Sequence, residues 1–396
     1  MEAFGQMRIT SDLQQNHSSG RSRRTRLRLG ALVCLGAILA TGCNSVAAGS
    51  STGAPPPARI VVLNAASGTI KQIDEATNHV VSTTRAGTSD EGFVVAPDGK
   101  FAFVGGSHLY RVSLVGASSA HELGGIGGFI TQVALNSSGL EGLVIGERTE
   151  HIALIDTTTN KLKDLNLGSA IELGGPLETV FLPNGRTAYV STSSGFVVPV
   201  YTSSGKVGTP IDVGGEPDFM AVTPSGLELY VVSLAANDVT MIDTTTNKVV
   251  KTVGVGRWPG LIVITPNGKT AYVANFLGRT VSVINLADNR ITATIRVGDA
   301  PGDMVFSPDG KTLYVVVGGL KEVIPIRVGA TTVEAPIKFT QVIGQILLQS
   351  DGDGAYVTTH GSSAHQVIPV NLVSKMAGKP IDVGKDSFNI VIAAAR

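Results

Sequence analysis

Cysteine is almost absent from this chain of 396 residues, and its only two copies, Cys34 and Cys43, lie near the N-terminus. A disulfide framework is therefore excluded from everything after residue 43. The sequence also has no Cys-x-x-Cys-His segment for covalent haem attachment, and no glycine-rich loop that opens a helix for phosphate binding. We expect no cofactor, and no residue is assigned as a metal ligand.

A surplus of positive charge is also missing. The chain has 31 basic and 31 acidic residues, but six Arg and only two acids lie in residues 1–42. The remainder carries 25 basic against 29 acidic residues, a net charge of −4. A mildly acidic body does not attract nucleic acid, so we expect no nucleic-acid partner.

Short apolar runs joined by tight turns repeat along the rest of the chain. The segment TPNGKTAYVAN (265–275) returns as SPDGKTLYVVV (307–317). A turn glycine between two such runs recurs every 40 to 46 residues, at Gly99, Gly139, Gly185, Gly226, Gly268, Gly310 and Gly352. A second pair of runs follows each hairpin, so every repeat supplies four strands, a, b, c and d. Four-stranded units of this length, repeated around an axis, predict an all-β fold, the β-propeller.

Three motifs carry a resemblance to a known family. They are YVAN (272–275), PDGK (308–311) and IDTTTNK, which occurs at 155–161 and again at 242–248. The chain resembles the YVTN-type β-propeller repeat family over about residues 58–396, as an exported bacterial lipoprotein. The hairpins at 136–139 and 350–353 depart from the pattern, and residues 143–146 replace its Tyr-Val core.

The strand count predicts how the ring closes. Residues 60–63, 69–73 and 80–84 align with strands b, c and d, whereas residues 388–393 at the C-terminus align with an unpaired strand a. Together they would complete one blade and remove two exposed edges. With seven internal hairpins this gives eight blades. Seven blades is the alternative, if residues 129–176 are an insertion.

The N-terminus predicts export. A basic run at 21–28 precedes an apolar run at 29–39 that is too short to span a bilayer, which is typical of a signal peptide over residues 1–42. Small residues directly before Cys43 resemble a lipobox, so we expect this cysteine to be lipidated and to anchor the protein on the extracytoplasmic side of the cell membrane. The alternative is an ordinary cleaved signal; the route, general secretory or twin-arginine, stays open. Residues 43–57 read as a flexible tether and 58–396 as the propeller.

Strand order predicts which face binds ligands. The a–b and c–d turns fall on one face, and the b–c turns with the d–a crossovers fall on the other, where the sequence varies most. Arg257 and Trp258 lie in a crossover and belong to the residue types enriched at binding hot spots, although Trp258 also has a structural explanation, packing on Pro259. The acidic candidates at the channel mouth, which would bind a cation such as Ca²⁺ or cap loop amides, are Asp90, Glu91, Glu216, Asp218, Asp299, Asp303 and Asp386.

The leading functional prediction is a lipid-anchored binding or scaffolding module, monomeric, whose crossover face holds a protein, glycan or small molecule. The alternative is a metal-dependent enzyme, lactonase- or lyase-like, with its site at the channel mouth; His151 with Glu178 is one pair that would perform acid–base chemistry if the blades bring them together. A third possibility is a structural component that self-associates through apolar surface on its outer strands.

Overall fold

The computed structural model describes residues 59–64, 67–86, 92–116, 119–147, 151–167, 175–349, 351–360, 365–384 and 390–395. Within these ranges the chain forms 34 strands in eight antiparallel sheets, with a single 3₁₀ turn at Gly318–Leu320. No helix in the described residues is long and apolar enough to cross a membrane. The all-β prediction is confirmed.

Each sheet is one blade, and five of the blades consist of four strands that are consecutive in the chain. Blade 2 contains β4 (Phe93–Val95), β5 (Phe101–Val104), β6 (Leu109–Ser113) and β7 (Ala120–Gly124). Blade 3 contains β8 (Phe129–Leu135), β9 (Glu141–Glu147), β10 (His151–Asp156) and β11 (Lys161–Asn166). Blade 5 contains β17 (Pro217–Val222), β18 (Glu228–Ser233), β19 (Asp238–Asp243) and β20 (Lys248–Gly254). Blade 6 contains β21 (Pro259–Ile264), β22 (Thr270–Asn275), β23 (Thr280–Asn285) and β24 (Arg290–Arg296). Blade 7 contains β25 (Pro301–Phe306), β26 (Thr312–Val317), β27 (Glu322–Arg327) and a short β28 (Ile337–Lys338).

Two blades have a broken outer strand. Blade 4 contains β12 (Pro176–Phe181), β13 (Thr187–Thr192) and β14 (Phe196–Tyr201), with β15 (Lys206–Val207) and β16 (Ile211–Asp212) both paired to β14. Blade 8 contains β29 (Val342–Leu348), β30 (Gly354–His360) and β31 (His365–Asn371), with β32 (Met376–Ala377) and β33 (Ile381–Gly384) both paired to β31. A proline lies in each break, at Pro210 and Pro380, where a missing N–H interrupts the ladder.

Blade 1 closes the ring. It consists of β1 (Arg59–Asn64), β2 (Thr69–Asp74) and β3 (His79–Arg85) from the N-terminal side, with β34 (Ile390–Ala395) added from the C-terminus. β34 pairs with β1 along its whole length, from Arg59 opposite Ala395 to Asn64 opposite Ile390. The innermost strands of consecutive blades contact one another all the way around, β34 to β4 and β29 to β34 included. Eight blades and the shared closing blade are confirmed, and residues 129–166 form a regular blade rather than an insertion.

The recurring hairpin glycine has two structural reasons. At Gly310 the backbone φ is +67°, a left-handed conformation that glycine adopts without a Cβ clash. The same residue packs against the turn of the preceding blade, because a Cβ on Gly310 would lie 3.3 Å from Pro266. Gly352 packs on Pro308 in the same way. In blade 3 Ser137 replaces the proline, and Asn136, one residue earlier, donates from Nδ2 to the Gly185 carbonyl at 3.2 Å, so the degraded hairpin keeps its inter-blade contact.

The core lies between the sheets, and a tyrosine–asparagine contact joins several neighbouring blades. The tyrosine is the third residue of strand b, and the asparagine has positive φ in the c–d turn of the next blade. The hydroxyl groups of Tyr189, Tyr230 and Tyr356 donate to Oδ1 of Asn247, Asn289 and Asn78 at 2.6, 2.8 and 2.6 Å. The last of these contacts connects blade 8 to blade 1. It therefore fastens the ring at its closure.

Blade 2 lacks this contact. Phe103 occupies the tyrosine position and is fully buried. Asn160 in blade 3 has the usual positive φ, yet its Oδ1 is buried without a hydrogen-bond partner. The missing phenol thus explains the orphaned acceptor, which costs stability when it is shielded from water.

Candidate functional site

One face of the ring is built from crossovers and b–c turns that bind each other through their backbones. In each of four blades the residue before the proline that opens strand a accepts a hydrogen bond from the start of the b–c turn. The donors are the N–H groups of Ser193, Leu234, Phe276 and Gly318, and the acceptors are the carbonyls of Gly175, Glu216, Trp258 and Ala300, at 2.9 to 3.2 Å. We call this surface the loop face. Its side chains vary while its backbone framework repeats.

Trp258 is held at the junction of blades 5 and 6. Its N–H donates to Oδ1 of Asn237 in blade 5 at 2.6 Å, and its carbonyl accepts from Phe276 in blade 6 at 2.9 Å. Its φ is +52°, a left-handed conformation that is unfavourable for a bulky residue. The indole is only half-buried. A rigid backbone therefore presents the chain's single tryptophan at the surface.

Two arginines lie on adjacent segments beside it. The Arg257 carbonyl accepts from the N–H of Gly278 at 2.9 Å, which brings Arg257 alongside the turn that carries Arg279. Nε of Arg279 lies 3.1 Å from Oδ1 of Asp299, so an ion pair fixes this guanidinium. Arg257 is exposed, and its guanidinium forms no hydrogen bond or ion pair within the described part of the chain. Together the three side chains carry one unit of positive charge.

A group of carboxylates lies at the junction of blades 4 and 5. Glu216 is exposed in the crossover, Asp218 is half-buried in β17, and Glu178 is buried in β12. Burial, and then the Glu216 carboxylate, raises the pKa of Asp218 to about 7. Burial also raises the pKa of Glu178 well above its usual range, although the Met220 N–H opposes this by donating to Glu178 Oε2 at 2.6 Å. Burial therefore favours the neutral form of both carboxyl groups.

Asp303 lies within β25, where it joins two blades, rather than in a crossover loop. Its Oδ2 accepts from the N–H of Ile346 in blade 8 at 2.9 Å, and its Oδ1 accepts from the N–H of Met304 at 2.9 Å. It is 6% exposed, and burial raises its pKa to about 7 against the opposing effect of the two N–H groups. Its contacts are with backbone amides, so its role in the structure is to join blades 7 and 8.

A β-bulge explains why these carboxylates are needed. The amides that these carboxylates bind in the next blade lie at or next to register shifts of strand a, between Pro217 and Phe219 in β17 and between Ile343 and Ile346 in β29. A bulge leaves amides without a strand partner. Gln132 serves the same purpose in blade 3, since its Oε1 accepts from the N–H of Thr179 at 2.6 Å. Sequence analysis missed Gln132 as a partner in this set. The sequence offered one indication, because Gln132 carries an acceptor oxygen and occupies the same position of strand a as Glu178 and Asp303.

The remaining candidates are not brought together. Asp90, Glu91, Asp386 and Cys43 lie outside the described residues. His151 pairs with Asp164, whose Oδ2 lies 2.9 Å from His151 Nδ1, whereas Glu178 binds the Met220 amide. No group of three or more His, Cys, Asp and Glu side chains within the described ranges is close enough to bind a metal ion.

A closed ring of eight antiparallel sheets, with a repeating backbone framework under a variable loop face, defines an eight-bladed β-propeller. No protein-family model matches the chain, and no curated protein matches it. Its similarities are to solved structures. One is the dihydro-heme d1 dehydrogenase NirN in complex with DHE, with a TM-score of 0.74 and 14% identity over 88% of this chain and 78% of that one.

Two further structures are similar at a lower level. Hydrazine synthase of Kuenenia stuttgartiensis has a TM-score of 0.54 and 18% identity, and covers 75% of this chain and 96% of its own. A functionally unknown protein of Desulfotomaculum acetoxidans DSM 771 has a TM-score of 0.53 and 16% identity, over 70% and 94% of the two chains. Identities this low establish a shared fold and assign no activity.

Proposed function

We propose that this protein is an exported, lipid-anchored β-propeller of the YVTN type that binds a ligand through the loops of blades 5 and 6. The single observation that carries the binding role is the presentation of Trp258. A bulky aromatic residue occupies a left-handed backbone position, held by hydrogen bonds on both sides, and is only half-buried. Tryptophan and arginine are enriched among the residues that contribute most to binding. Covering a rigid aromatic ring also costs little conformational entropy.

The anchoring part of this proposal rests on the sequence before residue 58. A basic run, a short apolar run and small residues before Cys43 support export and lipidation. The NirN structure is described as a complex with DHE. That ligand belongs to NirN, and it supports only the general point that a protein of this fold holds a small molecule. For the metal-dependent enzyme, the described residues offer no group of ligands.

A thermal-shift screen against small molecules and glycans tests the binding role. Each compound that stabilises the wild-type protein is measured again on Trp258→Ala and on a matched control, Lys311→Ala, which removes an exposed side chain from a turn on the opposite face. We expect stabilisation to be lost with Trp258→Ala and kept with Lys311→Ala. Stabilising compounds that act equally on both variants would show that the loops of blades 5 and 6 are not the site.

A further inference from the structure

We infer that the ligand of this site is a planar anion, a flat ring system that carries a carboxylate, sulfonate or phosphate group. The inference rests on the proposed function, because it specifies what the loops of blades 5 and 6 recognise. It is drawn from the two arginines, the half-buried Trp258 and the charges around them.

The anionic group of the ligand is inferred from Arg257. Of the two arginines, Arg279 forms an ion pair with Asp299. Arg257 has no such partner in the described part of the chain, although its backbone is fixed by Gly278. A guanidinium offers five donors in a planar fork that matches a carboxylate or phosphate. A positioned backbone with a vacant guanidinium therefore suits an anionic ligand.

The Arg279–Asp299 ion pair also favours an anionic ligand. Asp299 contacts Nε of Arg279 at 3.1 Å, on one edge of the guanidinium. The Arg279 carbonyl accepts from the N–H groups of Val297 and Gly298 at 3.2 Å, which fixes the backbone of this residue. Asp299 thus orients a second guanidinium in the turn next to Arg257. Both cations lie on a propeller whose residues after 42 carry a net charge of −4, so the positive charge here is local.

The planar part follows from the residues around the arginines. Trp258 and Phe276 are linked through their backbones and both are half-buried, so each leaves part of a ring accessible. Neither ring stacks on another aromatic side chain within the described residues, where the pair of Tyr272 with Phe306 is the contact observed. Flat π-systems stack on indole, and guanidinium groups stack on flat rings as well. A ligand with one flat face and one anionic edge satisfies both kinds of group at once.

Close backbone packing keeps this arrangement rigid. A Cβ on Gly256 would lie 2.5 Å from Asn275, and a Cβ on Gly278 would lie 3.0 Å from the nitrogen of Arg257. The crossover and the b–c turn therefore approach as closely as glycine permits. A site built this way binds without a large ordering cost.

Intrinsic fluorescence tests the inference directly, because Trp258 is the only tryptophan. The full-length protein in detergent is titrated with four probes: 1-naphthoate, which is planar and anionic; 1-naphthalenemethanol, planar and neutral; cyclohexanecarboxylate, anionic and not planar; and inorganic phosphate. Calorimetry on the same samples gives the affinities independently of probe absorbance. We expect 1-naphthoate to bind at least tenfold more tightly than the other three, and more weakly as salt is added.

Two variants separate the charge from the ring. Arg257→Gln, which keeps length and removes charge, should weaken 1-naphthoate by about tenfold or more and leave 1-naphthalenemethanol unchanged. Trp258→Ala, followed by calorimetry, should weaken both naphthalene probes, and Lys311→Ala should weaken neither. Equal affinity for the neutral and anionic naphthalenes, still dependent on Trp258, would overturn the ligand class and leave the binding site in place. The ligand class would also be overturned if Arg257→Gln changed the affinity of no probe while the compounds found in the thermal-shift screen still required Trp258. Loss of Trp258 dependence for all ligands would overturn the proposed function itself.

Discussion

Replacing Asp303 with asparagine should remove a defined part of the protein's dependence on pH. Asp303 is buried in β25 and accepts the amide protons of Met304 and Ile346. Asparagine keeps the shape and one acceptor oxygen but does not titrate. Burial raises the pKa of Asp303 to about 7 from its usual value of 3.8. The folded protein therefore binds a proton here that the unfolded chain releases above pH 4.

The sign and the size follow from this difference. Because the pKa is higher in the folded state, Asp303 contributes stability that is complete below about pH 4 and is lost as the pH rises through about 7. At about 1.4 kcal/mol for each pH unit, the group should lower the free energy of unfolding by about 3 kcal/mol between pH 5 and pH 8. Glu178 and Asp218, whose pKa values are also raised, change stability in the same direction. Asp303→Asn should therefore reduce the difference between the two pH values without abolishing it.

Urea denaturation at pH 5 and pH 8, followed by circular dichroism, measures the effect. The quantity compared is the difference between the two free energies of unfolding, because the substitution also changes stability at every pH. Asp309→Asn is the control. Hydrogen bonds from the Ser307 hydroxyl and the Lys311 amide lower the pKa of exposed Asp309, so its stabilising contribution is lost only on stronger acidification. If Asp303→Asn shows the same difference as wild type, Asp303 does not titrate in this range and the reasoning is wrong.

Three further changes test other parts of the structure. Phe103→Tyr should supply the missing donor to Asn160 Oδ1 and raise the free energy of unfolding by about 0.5–1.5 kcal/mol, measured by urea denaturation. No gain in the single variant would count against this contact. An equal gain in a double variant that also carries Asn160→Ala would count against it too. Removing residues 388–396 takes away β34, which pairs with the inner edge of β1, so thermal unfolding should occur at a much lower temperature. Removing Arg396 alone should have little effect. An unchanged melting temperature after the longer deletion would disprove the shared blade as the closure. Cys43→Ser should move the protein out of the membrane fraction on centrifugation, and retention there would contradict the lipid anchor.

The architecture could be predicted from sequence because the physics behind it is local and repeated. A tight turn between two apolar runs specifies a hairpin, and six nearly equal intervals specify the repeat. Closure followed from counting strands, since the unpaired strands at the two ends complement each other. Blade 3 was the uncertain part, because residues 136–139 lack the turn proline. The structure shows that the contact with the next blade is kept, because Asn136, beside the Ser137 that replaces the proline, donates a hydrogen bond to Gly185.

Sequence analysis could place the acidic residues near the correct end of each strand, but it could not predict to which face of the sheet their side chains point. A side chain in a regular strand points to alternate faces, and a bulge changes that alternation by one residue. The shift between Pro301 and Met304 puts Asp303 against blade 8, and the corresponding shift puts Glu178 against blade 5. Nothing in the sequence marks a bulge at these positions except the proline that opens the strand. Proximity in sequence to a loop was therefore a poor guide to Asp303.

Comparison of equivalent positions separates structural from functional residues. In strand a, Leu261 and Phe219 occupy the position of Asp303 and Glu178, so an acceptor at this position is present in some blades and absent from others. The residue that precedes the crossover proline shows a different pattern. Glu216, Trp258 and Ala300 all accept the same backbone hydrogen bond, so the contact does not depend on the side chain. Ala300 also adopts positive φ, at +59°, with a small side chain. Since the framework requires no indole, the tryptophan at this position supports the proposed role in ligand binding. For this reason Trp258 ranks above the acidic residues as the first position to substitute.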